Sequence, residues 1–313
     1  MVSKPCRWPK GHILGMMRQA GAVAAGCARA EGISAGCADE FSGWLSEGWH
    51  GGMEWLERHA RLRLTPESVF PGVRTVLCAA FPYAHQGGHG HAHIADYALG
   101  QDYHTVLRRR LQPVADEIFN RYGALSRICV DTAPLPERYW ATMCGLGRPG
   151  RSGQLIVPGV GAGVFIATIL TTLELSPDSP LADFDPCADC RACVDACPGH
   201  AIGPGRTIDA RRCLSYLTIE HRGPWPDDAP RPRGRLYGCD ICRRVCPHGG
   251  GQVEPLPEFT PRTELKSLTP ETARDITSGE WRRLTRPKNS TSAMSRLPYA
   301  QLKETLKALF GSK

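Results

Sequence analysis

The stretch CADCRACVDACP, Cys187 to Pro198, restricts this chain more than any other. Its C-x2-C-x2-C-x3-C-P spacing is one that holds iron–sulfur clusters: three cysteines serve one cluster and the fourth serves another. One cluster then lacks a fourth ligand and a second lacks three. The run GCDICRRVCP supplies Cys239, Cys242 and Cys246, and Cys213 in DARRCLSYLTIE fills the last place. The crossover rule assigns Cys187, Cys190, Cys193 and Cys246 to one [4Fe-4S] cluster, and Cys197, Cys213, Cys239 and Cys242 to the other. Structural zinc also uses paired C-x2-C knuckles, but the doubled run with a proline after each last cysteine favours iron–sulfur.

The chain has 313 residues and 14 cysteines, of which the eight above lie between Cys187 and Cys246. Such usage suits metal ligation in a reducing compartment better than disulfides. Cys6, Cys27, Cys37, Cys78, Cys129 and Cys144 lack ligand spacing, and most of them are expected to be small core residues. Hydrophobic residues make up 42% of the chain, enough for a buried core. The longest apolar run, around Val164 to Leu170, is too short to span a bilayer. GAVAAGCA (Gly21 to Ala28) resembles a lipoprotein cleavage site, but Arg18 and Gln19 interrupt the apolar core that a signal needs. The expectation is an amphipathic helix followed by a short buried strand, in a cytoplasmic protein without a membrane partner.

The formal charge is +7. Arg206, Arg211, Arg212, Arg222, Arg231, Arg233, Arg235, Arg243 and Arg244 crowd the cluster region. They read either as a solvated face that compensates cluster charge or as the footprint of a polyanion, with tRNA the natural candidate.

Three parts are visible. Residues 1–185 alternate helical and strand patterns, as in an α/β or α+β domain. RTVLCAAFPY (Arg74 to Tyr83) predicts a buried strand ending at a proline. DYHTVLRRRLQPVADEIFNRYG (Asp102 to Gly123) predicts a helix burying Val106, Leu107, Leu111, Val114, Ala115 and Ile118. SRICVDTAP (Ser126 to Pro134) predicts a second strand, while GVFIATILTTLEL (Gly163 to Leu175) fits a buried helix or a strand. Residues 186–257 shift to Cys, Pro, Gly and Arg, so metal bonds must supply much of that segment's folding free energy. Residues 258–313 are polar with helical stretches, notably YAQLKETLKALF (Tyr299 to Phe310).

Two clusters alone would make an electron carrier, which has no need of the large preceding domain. That domain has no G-x-G-x-x-G fingerprint and no Walker loop. HGGMEWLERHARLRLTPESVFPGVRTV, ADYALGQDYHTVLRRRL, VDTAPLPER, CGLG, DARRCLSYLTIE and YGCDIC together resemble the epoxyqueuosine reductases, and the likeness spans nearly the whole chain. The resemblance implies a cobalamin-binding α/β (α+β) domain, a ferredoxin-like double [4Fe-4S] domain and a short helical C-terminus. The implied activity is reduction of epoxyqueuosine to queuosine in tRNA. Electrons would come from an external flavodoxin- or ferredoxin-type donor, and the protein is expected to be a monomer.

The resemblance also assigns roles. Asp131 stands where the family has its proton donor, which requires burial to hold the carboxyl protonated near neutral pH. Arg63, Ala95, Leu155, Ile166, Ser215 and Asp240 fall at cofactor positions, as does Asp131, and Arg222 at a tRNA contact. No D-x-H-x-x-G motif offers cobalt a histidine. Several places depart from the family pattern. Arg148 and Arg151 replace an aromatic and a lysine, Ile166-Ala167-Thr168 replaces LGE, Asp96 replaces an arginine, and Cys246-Pro247-His248-Gly249 replaces CPWN. The family's C-terminal helical repeats are not expected here. A paralogue acting on a small epoxide or halogenated substrate, and an electron-transfer protein, are the alternatives.

Overall fold

The computed structural model describes residues 8–84, 93–287 and 291–311; Cys6 lies outside them. Four strands form the central sheet: β1 (Ala24–Arg29), β2 (Thr75–Pro82), β3 (Ser126–Cys129) and β6 (Val164–Thr171), in the order β1-β2-β6-β3. Every neighbouring pair is antiparallel, so the domain is of the α+β kind. Two short strands, β4 (Arg148–Pro149) and β5 (Leu155–Ile156), pair separately.

All eight residues of β2 are buried, because both faces of the sheet are covered. Leu77, Ala79 and Phe81 face helices α1 (Trp8–Gln19) and α4 (Tyr103–Tyr122) through Ile13, Met17, Leu107, Leu111 and Ile118. Val76, Cys78 and Ala80 face the other way, toward Trp140 and Ala141 of α5 (Glu137–Met143). Helices α2 (Ala35–Ser46) and α3 (Glu54–Arg58) lie in the long connection between β1 and β2. The ambiguous Gly163–Leu175 stretch is a strand: β6 pairs with β2 along one edge and β3 along the other, where its β-branched residues fit the pleated surface.

Helix α4 starts at Asp102, whose side chain accepts the His104 N–H, and ends at Gly123 with φ 65°. It buries the six apolar residues expected of it, and His104 with them. The lipoprotein-like stretch belongs to β1 and the turn before it. Cys27 is fully buried there, and its thiol donates to the Ser176 carbonyl at 3.2 Å. Cys78, Cys129 and Cys144 are buried too, and Cys37 partly.

The cysteine-rich segment is built differently. Its helices α6 (Ala192–Asp195), α7 (Leu214–Ile219) and α8 (Ile241–Arg244) are one or two turns long. Its own apolar cluster is only Ala210, Leu214, Tyr216 and Leu217. Ala188, His200, Arg206 and Arg233 take the left-handed conformation that non-glycine residues rarely adopt. The C-terminal helices are α9 (Thr263–Lys266), α10 (Pro270–Arg274), α11 (Ser278–Thr285) and α12 (Tyr299–Phe310). With Met294 from the 3-10 turn Ala293–Arg296, they bury Leu265, Trp281 and Leu302 against Ile94 and Leu99 of the first segment and Leu236 and Tyr237 of the second, so one core joins all three segments. Among the described residues, no helix is long and apolar enough to cross a membrane.

Candidate active site

A cavity of about 510 Å³ opens where β2 and β3 end and β6, α4 and α5 begin. Tyr83, Tyr103, Asp131, Glu137 and Phe165 line it from the sheet side, and Trp55 and Arg63 from the β1–β2 connection. Ser215, Cys239 and Asp240 close it from the cysteine-rich segment. Its size is that of pockets that take cofactors and ligands.

Asp131 sits just past β3 with φ 60°. Thr132 N–H bonds back to the Val130 carbonyl at 2.7 Å, closing a γ-turn around Asp131. A γ-turn with positive φ is rare and strained, and two neighbours hold this one. Glu137 Oε1 accepts the Asp131 N–H at 2.8 Å. His104 Nε2 lies 3.1 Å from Asp131 Oδ2, and its Nδ1 lies 2.6 Å from Asp102 Oδ1. His104 is nearly buried, whereas the Asp131 side chain is 57% exposed where the cavity opens.

The charges on this line correct one expectation. Burial does push Asp131 up, but the hydrogen bond and charge of His104 outweigh it and hold the carboxyl below its ordinary value. Burial likewise pulls His104 down, and its bonds to Asp102 and Asp131 carry it above its ordinary value instead. The contact thus favours the carboxylate form of Asp131 and the imidazolium form of His104, the reverse of the burial-raised acid expected from the sequence. Glu137 behaves in the opposite way. Burial first, then the Asp131 charge, raise it to about 8.

Arg63 donates from Nη1 to the Leu135 carbonyl at 3.4 Å and lies 5.4 Å from the centre of the Trp55 ring. Its Nε and the Oε1 of Gln154 are buried without a partner, and both residues line the cavity. Unmatched buried donors and acceptors are rare in folded proteins, and these suit a ligand rimmed with amides. Leu155 and Ile166 also line the cavity, as do Ser215 and Asp240. Asp240 is tied into a buried charge knot: Oδ2 accepts the Asp96 N–H at 2.7 Å and lies 3.4 Å from Arg243 Nη2, which also pairs with Asp96. The acid at position 96 is thus matched by Arg243, with Arg244 3.2 Å away.

Two other expected contacts lie outside the cavity wall. Ala95 faces a small recess with Gly238, Cys239 and Asp240, and its N–H bonds to the Tyr237 carbonyl at 2.8 Å. Arg222 is exposed and turns Nη1 onto the carbonyls of Ile219 and His221 at 2.7 and 2.9 Å. Arg148 and Arg151 do not line the cavity either. They grip the chain entering the cysteine-rich segment, through the carbonyls of Ala182 (3.2 Å) and Ala188 (2.7 Å).

The cysteines fall into two neighbourhoods. Burial raises the Cys193 thiol, and the charges of Cys187, Cys246 and Cys190 raise it further. Cys242 is raised by burial and then by Cys213, Cys239 and Cys197. Neither set closes to the spacing of a single-ion site among the described residues. Backbone N–H groups point at the sulfurs, from Arg151 to Cys187 (3.3 Å), Ala201 to Cys197 (3.3 Å) and His248 to Cys246 (3.4 Å). Such bonds stabilise thiolates and tune cluster potential. The second set abuts the cavity: Cys239 lines it, and Gln154 Nε2 lies 3.7 Å from Cys242 Sγ.

Comparison with known proteins agrees with this layout. Residues 186–249 match the profile of a 4Fe-4S double cluster binding domain, and residues 63–132 that of epoxyqueuosine reductase QueG. The epoxyqueuosine reductase of Gloeobacter violaceus is 34% identical over 298 residues, covering 92% of this chain and 91% of that protein. The chain belongs to the epoxyqueuosine reductase family. The enzyme of Vibrio cholerae is 33% identical over 82% of this chain and 75% of its own. A crystal structure of epoxyqueuosine reductase with an epoxyqueuosine-modified tRNA-Tyr stem loop superposes with a TM-score of 0.84 at 26% identity, covering 96% of this chain and 80% of that one. The Bacillus subtilis enzyme with its catalytic aspartate loop swung out of the active site superposes at 0.81, with 25% identity and the same coverage.

Within this family frame, sequence reasoning missed His104, Glu137 and Gln154. His104 reads as one more residue on the buried face of α4, although an aspartate two positions earlier was a signal for a paired imidazole. Glu137 lies inside the quoted VDTAPLPER motif, but nothing in the sequence shows that its carboxyl returns to the Asp131 backbone. Gln154 carried no signal.

Proposed function

We propose that this protein reduces epoxyqueuosine in tRNA to queuosine, with cobalamin in the cavity and electrons fed from two [4Fe-4S] clusters. The observation that carries this reading is the convergence of a cluster cysteine, Cys239, and the Asp131–His104 pair on one cavity. Electrons and a proton can meet there.

Cys187, Cys190, Cys193 and Cys246 hold the outer cluster, and Cys197, Cys213, Cys239 and Cys242 the one beside the cavity. Thiolates around a four-iron cube stand apart by its width, in keeping with two sets that feel one another's charge without closing on a single ion. Arg63 and Gln154, with their unmatched Nε and Oε1, would hold the amide rim of the corrin. Leu155, Ile166, Ser215 and Asp240 form its walls, and Ala95 supports Asp240 from behind. Cobalamin, when bound, supplies a low-valent metal centre that delivers electrons to the epoxide carbon. The chain supplies the proton: Asp131 presents its carboxylate to the cavity and passes the proton of His104 Nε2 to the opening epoxide oxygen. The strained turn keeps that carboxylate aimed inward, and its loop is the counterpart of the one that swings in the Bacillus subtilis enzyme. Exposed Arg222, Arg231 and Arg233 provide positive charge for RNA phosphates. The enzyme works in the cytoplasm as a monomer, supplied by a flavodoxin- or ferredoxin-type donor.

The test is turnover of an epoxyqueuosine-bearing stem loop by protein carrying both clusters and cobalamin, with a strong reductant. Asp131→Asn is expected to lower turnover by about 10²–10⁴-fold while cluster and corrin absorbance stay unchanged. A loaded protein that leaves the RNA untouched sinks the substrate assignment, and full activity in Asp131→Asn removes that residue from the mechanism.

A further inference from the structure

Converting an epoxide to an alkene consumes two electrons and two protons and releases water. The Asp131–His104 pair accounts for one proton per turnover; the second needs its own source. Glu137 lines the same cavity, and its Oε1 sits 2.8 Å from the Asp131 backbone nitrogen, so two carboxyls border one turn. Among the described residues, Glu137 has no ion-pair partner.

Resting on the function proposed above, we propose that Glu137 is the second acid of the site, giving the proton with which the former epoxide oxygen leaves as water. The balance is complete. The two electrons come from a ferredoxin- or flavodoxin-class donor, which the clusters would relay. The first C–O bond breaks as an electron pair enters the carbon, and the alkoxide takes the proton of His104 Nε2 by way of Asp131. The second C–O bond breaks as that pair becomes the π bond, and the departing hydroxyl takes the proton from Glu137.

The surroundings of Glu137 keep that proton in place. Asp131 and Cys129 face it from β3 and the turn beyond, Tyr103 and His104 from α4, Arg63 from the β1–β2 connection and Arg138 from its own helix. Arg138 and His104 favour the ionised form, but burial and the Asp131 charge prevail, and the carboxyl titrates at about 8.

Glu137→Gln tests this, because an amide oxygen still accepts the Asp131 N–H but has no acidic proton to give. Infrared spectra of the resting protein should show a carboxylic-acid band at pH 7 that fades as pH passes about 8 and is missing in the variant. Turnover of the modified stem loop should fall about 10²–10⁴-fold, with RNA affinity kept and the alkaline limb of the pH profile reduced to the part that His104 sets. Glu137→Asp should restore part of the rate and the limb. Wild-type turnover in Glu137→Gln, or an ionised Glu137 at pH 7, overturns the proposal. The infrared arm needs no turnover, so the two readings fail separately. Wild-type protein that shows the band but converts no substrate overturns the function, and with it the destination of this proton. Active wild-type protein with an unaltered Glu137→Gln overturns the role of Glu137 alone.

Discussion

The sheet domain and the cysteine-rich segment sit side by side and are held by different forces. In the first, β2 is buried over its whole length between two helical layers, and apolar burial organises the fold. In the second, helices of four to six residues surround an apolar cluster of four residues. Among the described residues, four of the five non-glycine residues with positive φ lie there. Water exclusion favours the first without any ligand, whereas the second is shaped for bonds that only a cluster can supply. The lesson is that the cavity, walled by both, is complete only when both kinds of stabilisation are present.

The sharpest way to break this contrast is to take the iron away. Protein prepared without clusters should lose amide-exchange protection through most of residues 186–257 while β2 and β6 keep theirs. Leu236 and Tyr237 should be spared in part, because the C-terminal helices bury them. Cys242→Ala should produce the same local loosening beside the cavity. Full protection of the segment without iron would show that its apolar residues suffice, and the contrast would be wrong.

The converse experiment removes packing and leaves the ligands. Leu107 is fully buried between α4 and the sheet. Leu107→Ala should cost about 2–5 kcal/mol of stability, read from denaturant unfolding of the sheet domain. The iron content and cluster absorbance of the folded fraction should not change. Loss of clusters at denaturant concentrations where the sheet is still native would mean that α4 supports the cluster segment directly.

The same contrast explains what the sequence disclosed. The double-cluster domain was legible because cysteine spacing is a local property that can be counted without a fold, and residues 186–249 match that profile. β2 was legible because burial on both faces leaves an unbroken apolar run. β6 was not, since a central strand and a buried helix share that pattern until hydrogen-bond partners on both edges decide it. That Asp131 borders the cavity agrees with its motif, but its charge balance was not legible: the imidazole that favours its carboxylate form comes from α4, 27 residues away in sequence. Arg148 and Arg151 looked like changes to the pocket because the motif they alter adjoins it, yet their side chains fasten the next segment.

Asp102→Asn gives the smallest effect and divides structure from chemistry most cleanly. Asparagine caps helices as well as aspartate, so α4 should still start at the same place. The loss is the carboxylate 2.6 Å from His104 Nδ1. That carboxylate opposes the burial that pulls His104 down, so in the variant His104 should lose its proton at lower pH, and the alkaline fall of activity should move the same way. The sign for stability follows from the two shifts. His104 titrates above its ordinary 6.5 in the fold, so its contribution is complete below 6.5 and is lost as pH rises through the raised value. Asp102 titrates below its ordinary 3.8, so its contribution is present above 3.8 and is lost as pH falls through the lowered value. The variant should therefore be less stable by about 1.5–3 kcal/mol between those two ordinary values and closer to the wild type at alkaline pH, measured by thermal unfolding across the range. An unmoved activity profile would mean that His104 does not carry the proton for Asp131 and only fixes its position.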